Sequence, residues 1–447
     1  MKLSEYNTSL SGMLAAQRAM ATTKQNISNL NTEGYVRQKV NFQEAGPSQG
    51  SMLAQDPGYG VQVQSIDRVT DAMLTQQYNK QLSQSSYYEY KSSGLAQAET
   101  AFSGSGGSSL SALTDEMFQG WHELAKHPNE QVYYQPVLSA ATKWTSQLNR
   151  ITGDLNTAEA QAAQDTEGQV QEFNRLAQQL AAANKEIGKA GANVPNELLD
   201  RRDSIIASMA KNAPIEVSYE SQNPNISTVR VSGILAVSDQ AVYPLQLKNE
   251  GGAGSFFIGS SAVKIDSGMI GASVDVQKQI AGYREKLDTY ANAINQKVNT
   301  MLHDDYAAKN GTEPATDADG TYVTDFFKGE GARNLRVNND MPKTISGDTL
   351  SQLDRLSGDE VADGLTYTNY LDDVTVRVAA DVNESDSFKD IHQELMTSIQ
   401  TNKAGVEGVN MDEEMVNLMM YQNYFTANSK AIQTMNQVYE ALFGIIS

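Results

Sequence analysis

His122, His127, His303 and His392 are the only imidazoles in the chain, and it has no cysteine. Any metal or acid–base chemistry must therefore use these four side chains or carboxylates. The segment HELAKH, residues 122–127, looks like the zinc-protease pattern H-E-x-x-H. In that pattern two histidines one turn apart grip the metal, and the glutamate serves as base. Here the second ligand position is Lys126, and His127 lies about 140° around a helix from His122. Pro128 then marks a helix end. The segment TDADG, 316–320, hints at a calcium loop. Placing Gly320 at the sixth loop position, however, puts Ala315 first and Phe326 last, where Asp and Glu are required. The chain has no phosphate-binding glycine loop, dinucleotide fingerprint or nucleophile elbow, and no spacing singles out a carboxylate pair. The expectation is a protein with no catalytic residue, no metal ligand and no cofactor.

The rest of the composition narrows the class. A net charge of −20 argues against nucleic acid or an anionic membrane as the main partner. Mean hydropathy is −0.46, and no apolar run reaches the length of a membrane span. The N-terminus carries Glu5, Arg18 and Lys24 and lacks an apolar signal-peptide core. A cytosolic protein fits these facts. So does a chain exported unfolded, which needs neither signal peptide nor disulfide.

At 447 residues two or three domains are expected. A first helix from about Leu3 to about Ile27 presents Leu3, Tyr6, Leu10, Met13, Met20 and Ile27 at alternating three- and four-residue steps, a coiled-coil-like seam. A last helix repeats the pattern with Leu418, Tyr421, Phe425, Ile432, Met435, Tyr439, Leu442 and Ile446, interrupted only by Asn428. Asn410 is its expected cap and Glu413 its capping-box partner. Residues 1–40 carry five basic against two acidic side chains, and residues 409–447 one against four, so the two ends attract. Met411, Met415, Met419, Met420 and Met435 are either core filler or an adaptable contact face.

After the first helix comes QNISNLNTEGYVRQKV, residues 25–40. Asn26, Asn29 and Asn31 can bond neighbouring backbone, Gly34 can turn the chain left-handed, and Tyr35 opens a short alternating strand. Further helices are expected over 87–101, 110–126, 131–189, 196–211 and 273–303. Short β-rich runs separated by Gly, Pro, Asn and Ser fill about 214–268. The expected fold is mainly α with a smaller β domain. Paired terminal helices (1–45 with 405–447) join an elongated helical bundle (46–213 with 270–404), and a small antiparallel β insertion (214–269) loops out of it.

Residues 9–38 closely resemble the N-terminal signature of the bacterial flagellar rod, hook and hook-associated family: an amphipathic helix, an Asn-rich turn and Gly-Tyr. Residues 408–442 are similar to that family's C-terminal helix, with DEE, NL, YQ and AN-K-I in the family's order. In the middle, MFQGWHELAKHPNEQVYYQPVLSAA (117–141), NELLDRRDSIIASMAKNAPIEVS (196–218) and TDADGTYVTDFF resemble the hook-associated members. QVYYQ, where an Arg is usual, and a short β insertion depart from their pattern. The resemblance implies a structural, non-enzymatic protein of the flagellum, exported through the type III channel, at the junction of hook and filament. The terminal seams would be its assembly interface and residues 25–35 its exit turn. Implied partners are copies of itself in a ring, the hook protein, a second hook-associated protein, and a cytoplasmic chaperone on the C-terminal helix before export. A hook or distal rod protein shares the termini, but its middle would be mostly β. A metal-dependent hydrolase on a flagellar scaffold, with HELAKH as its site, is the alternative of another class.

Overall fold

A computed structural model describes residues 3–32, 34–45, 60–103, 109–128, 130–191, 193–220, 223–248, 254–317, 321–339, 344–362 and 364–446. The side chains of Leu3, Leu442 and Ile446 lie outside what is described, as does most of the SGSGGSS segment at 103–109 and residues 318–320 of the TDADG loop.

Helix α1 (Leu3–Ser28) is followed by strands β1 (Gln38–Glu44) and β2 (Val61–Arg68), and then by helices α2 (Ala72–Ser103), α3 (Leu110–Lys126), α4 (Tyr134–Ala190) and α5 (Asn196–Asn212). The β region holds β3 (Ile215–Tyr219), β4 (Ser227–Val231), β5 (Ile234–Ser238), β6 (Ala241–Val242), β7 (Leu245–Lys248), β8 (Ser255–Ile258) and β9 (Ser261–Val263). Helix α6 (Gly268–Asn310) re-enters the bundle. The short elements β10 (Phe327–Lys328), α7 (Gly331–Asn334), β11 (Arg336–Val337), α8 (Gly347–Arg355), β12 (Glu360–Ala362) and β13 (Leu365–Thr366) lead to α9 (Tyr367–Glu407) and α10 (Met411–Ile446). The chain is mainly helical, with paired termini and an elongated bundle from which antiparallel strands loop out.

Three of these elements have clear local causes. Ser109 caps α3 by accepting from the Ala112 amide, and Trp121, Met117 and Leu124 face inward at helical spacing. Gly311, in the left-handed region at φ 67°, closes α6. Ser232 and Gly233 both have positive φ, which matches the twist of the tight β4–β5 hairpin.

Strands β3 to β6 form one antiparallel sheet and β7 to β9 another, and both pack on α4 and α5. The sequence reading did not separate β5 or α8, and it placed β2 in the bundle. Strand β2 instead pairs with β1 along its whole length, from Gln38 opposite Arg68 to Glu44 opposite Val61.

Candidate assembly interface

The chain termini meet as an antiparallel pair, with Gly12 opposite Asn428 and the end of α1 beside the start of α10. The most buried face of α1 is made of small residues. Ser9, Ala15, Ala16, Ala19, Thr23 and Asn26 are all buried. The β1–β2 hairpin covers part of this face, through Asn26 at Gln38 and Ser11 at Val61, and on α10 Tyr421, Phe425, Ile432, Met435 and Tyr439 are all half-buried. The large residues expected as the α1 seam, Tyr6, Leu10, Met13, Met20 and Ile27, are half-buried on the flanks of this face. Leu418 is half-buried, whereas Leu14 of α1 and Met411, Met415, Val416, Met419 and Tyr424 of α10 are exposed. The pair therefore leaves an apolar face uncovered.

At the exit turn, Asn26 is 1% exposed, and its amide mimics a strand neighbour. Its Oδ1 accepts from the Gln38 amide at 3.0 Å and from the Tyr35 hydroxyl at 2.8 Å, while its Nδ2 donates to the Gln38 carbonyl at 2.9 Å. Asn29 donates to the Gln25 carbonyl and accepts from Thr32, Asn31 is exposed, and Gly34 sits at φ 79°. Burial, then the charges of Asp200, Glu197 and Glu414, push the Tyr35 hydroxyl pKa up, so the group stays a donor.

Arg37 ties this turn to the other end of the chain. Its side chain pairs with Glu414 and Glu413, each at 2.8 Å, and its amide donates to the Glu407 carbonyl at 2.8 Å. Glu407, itself buried, accepts from the Asp71 amide and pairs with Lys403. A second charged cluster lies alongside. Arg68 pairs with Asp200 and Asp203 at 2.7 Å each. Arg202 pairs with Asp203, donates to the Asn225 carbonyl and lies 5.0 Å from the centre of the Tyr219 ring. The motif LLDRRD thus joins the hairpin, the bundle and the β region.

The hairpin braces the arm. It spans seven paired residues, about 23 Å at strand rise. That matches the length of α1 from Ser11 to Asn26, about 22 Å at helix rise. At its far end the Val61 amide donates to the Ser11 hydroxyl, and Phe42 meets Tyr421 with ring centres 6.2 Å apart. Sequence reasoning missed Arg37, Glu407, Glu414 and Arg68 as joint residues. The one available signal was the opposite charge of the two termini.

The histidines do not converge. His122 pairs with Asp354, and His127 stacks on Tyr133 and faces Glu130. His303 stacks on Tyr322, and His392 accepts at Nδ1 from the Gln81 amide while stacking on Tyr88. Burial lowers the His392 pKa. Among the described residues no three His, Asp or Glu side chains are placed to share a metal ion. Asp317 of the TDADG loop pairs with Lys328 and accepts from the Thr321 amide.

The termini are antiparallel, leave an apolar face uncovered and are joined by a braced turn to a long bundle. Residues 7–35 fit the model of the flagella basal body rod protein, and 406–445 fit that of the flagellar basal body rod FlgEFG protein C-terminal region. Residues 95–327, just over half the chain, match the flagellar hook-associated protein FlgK helical domain, and the chain belongs to that family. It is a structural, non-catalytic component of the flagellum. Flagellar hook-associated protein 1 of Bacillus subtilis is 23% identical, with 96% of each chain covered. The Escherichia coli and Salmonella typhimurium proteins of that name are 23% and 24% identical, with 98% of this chain and 99% of each relative covered. Those two alignments run over 547 and 560 positions, so these relatives carry segments absent here. The flagellar hook junction protein FlgK from Burkholderia pseudomallei has a solved structure that superposes with a TM-score of 0.48 at 19% identity. That match covers 57% of this chain and 46% of the other.

Proposed function

We propose that copies of this chain close a ring at the junction between hook and filament, held by their α1–α10 pairs. The observation that carries this reading is the uncovered apolar face of α10, with Met415 and Met419 about half exposed. A single helix pair cannot bury it, whereas a neighbouring copy's pair supplies an apolar surface of matching length. The expected seam residues, now flanking the small-residue face of α1, would be covered in the same step. In this reading the terminal arm, the bundle and the β region are three working parts, with strand β2 belonging to the arm. Hook protein contacts the ring on one side and a second hook-associated protein on the other. Before export, α10 is the segment a cytoplasmic chaperone would shield, because its exposed methionines adapt to different partners.

The test is Phe425→Asp, which places a charge in the half-buried seam. We expect a folded bundle with unchanged near-ultraviolet circular dichroism, but no incorporation at the end of the hook and filaments that fail to attach. Normal attachment by this variant would refute the reading.

A further inference from the structure

Helices α4 and α6 run unbroken through the bundle, but the apolar core they share does not. The distal core includes Leu148, Ile151 and Ala162 of α4 with Val276 and Ile280 of α6. A second core, on the arm side, includes Val170 and Phe173 of α4 with Ile270 and Val274 of α6 and the strands of the β region. On α4 the buried residue between Ala162 and Val170 is Thr166, whereas on α6 the two cores abut at Val274 and Val276, flanked by Ser273 and Gln277. Thr166 is 1% exposed and Ser273 is fully buried, and their hydroxyls are bonded at 2.8 Å. Gln277 donates to Thr166, and Ser273 donates to Gln169.

The other two long helices change character at the same level. On α2 the buried residues between Leu82 and Leu95 are Ser83, Ser85, Ser86, Tyr87 and Ser92. On α9 the buried residue between Val382 and Met396 is Ser385. Two tyrosine hydroxyls donate across the belt at 2.6 Å, from Tyr87 to Asp275 and from Tyr90 to Asp165, while Tyr283 of the distal core donates to Asp381. A cavity of about 440 Å³ opens on one side, lined among others by Glu159, Thr166, Gln277 and Arg284.

Two physical consequences follow. Apolar contact couples neighbouring packed units in proportion to area, whereas a hydrogen bond exchanged for water contributes little net. The belt therefore holds the two cores in register while coupling their stabilities weakly. The helices are also locally weakened. Thr166 bonds back to the Ala162 carbonyl, Ser273 to that of Ile270 and Ser385 to that of Asp381, a pattern that loosens and bends a helical ladder.

We propose that this belt is a conformational break built into the bundle, at which the arm-side half opens without the distal half. Opening of one core stops at the belt, because the buried contacts there are mostly hydrogen bonds, with the stack of Tyr88 on Phe388 as an apolar exception. The two halves are then separate cooperative units threaded by the same helices. This inference stands independently of the ring.

Hydrogen exchange on the full-length chain tests it with two substitutions on one helix, Leu148→Ala in the distal core and Phe173→Leu in the arm-side core. We expect Leu148→Ala to lower amide protection in the distal half by tenfold or more, with less than a twofold change in α5 and β4. Phe173→Leu should do the reverse. If either variant lowers protection equally in both halves, the proposal is wrong. Ile151→Val is the milder distal probe should Leu148→Ala fail to fold, and the same two outcomes decide it. Thr166→Val combined with Ser273→Ala and Gln277→Leu should fuse the units, so that Phe173→Leu then lowers protection on both sides. Continued independence in that background would show that the belt is not the cause.

Discussion

A Cβ placed on Gly12 would lie 2.9 Å from both Nδ2 and Oδ1 of Asn428, so the two terminal helices touch where one of them has no side chain. Asn428 is held in turn by its Nδ2, which donates to the Tyr424 carbonyl at 2.8 Å. The polar interruption in the α10 seam thus sits against the glycine of α1.

Gly12→Leu should separate the helices there, exposing α1 to hydrogen exchange and preventing incorporation into the flagellum. Gly12→Ala asks only that the Asn428 side chain shift, since its Cγ would lie 3.0 Å from the new Cβ, and Ala gains up to about 1 kcal/mol in helix propensity over Gly. It should therefore be tolerated. Loss of α1 protection in Gly12→Ala equal to that in Gly12→Leu would contradict the close-approach account.

Gly34 tests conformation separately from space. A Cβ there would meet nothing within 4 Å, yet its φ is 79°. Gly34→Val should cost about 1–2 kcal/mol at the exit turn, whereas Gly34→Asn should cost less because Asn enters this region readily. Thermal melts of the two variants, with assembly scored alongside, distinguish the outcomes. Equal effects would remove the backbone argument.

Gly408 makes the opposite test. Its backbone is ordinary at φ −75°, but a Cβ would collide with the Ala404 carbonyl oxygen. Gly408→Ala should distort the link between α9 and α10 and loosen the Arg37–Glu414 pair. Increased exchange of the Arg37 amide, which donates to Glu407, is the readout.

The Asp305 carboxyl governs an acid response. Burial pushes its pKa up, but Lys309, Ser346 and Thr349 together outweigh that and hold it below the usual aspartate value. A carboxyl depressed on folding stabilises the fold at pH above its unfolded value, and this stability is lost as pH falls through the folded value. Stability should therefore fall below about pH 4. Asp305→Asn should be less stable at pH 7 and show a smaller loss on acidification, as followed by melting temperature against pH.

The histidine segment supplies a negative control. His122 and Glu123 lie on the surface, paired to Asp354 and Lys126. Substituting either by Ala should leave melting and motility unchanged. Stoichiometric zinc in the purified protein, lost with His122→Ala, would reinstate a metal site.

The sequence by itself determined most of the helical segments, α8 and the first half of α2 excepted, and where most of them stop, because capping, periodicity and turn chemistry act over a few residues. Helix α3 has the expected bounds, and α5 begins as expected at Asn196. Asn410 caps α10 as expected, accepting from the Asp412 and Glu413 amides. The family signature was legible for the same reason, since it lies in short runs at each end. Tertiary structure alone decided which face of α1 is central. Periodicity counts large side chains, whereas on α1 the most buried residues are small ones such as Ala16 and Ala19. It also decided the joint. Arg37 and Glu414 are 377 residues apart, and β2 finds β1 across a long intervening segment. Pairings of that kind depend on how whole elements close upon one another, and no local pattern in the chain encodes them.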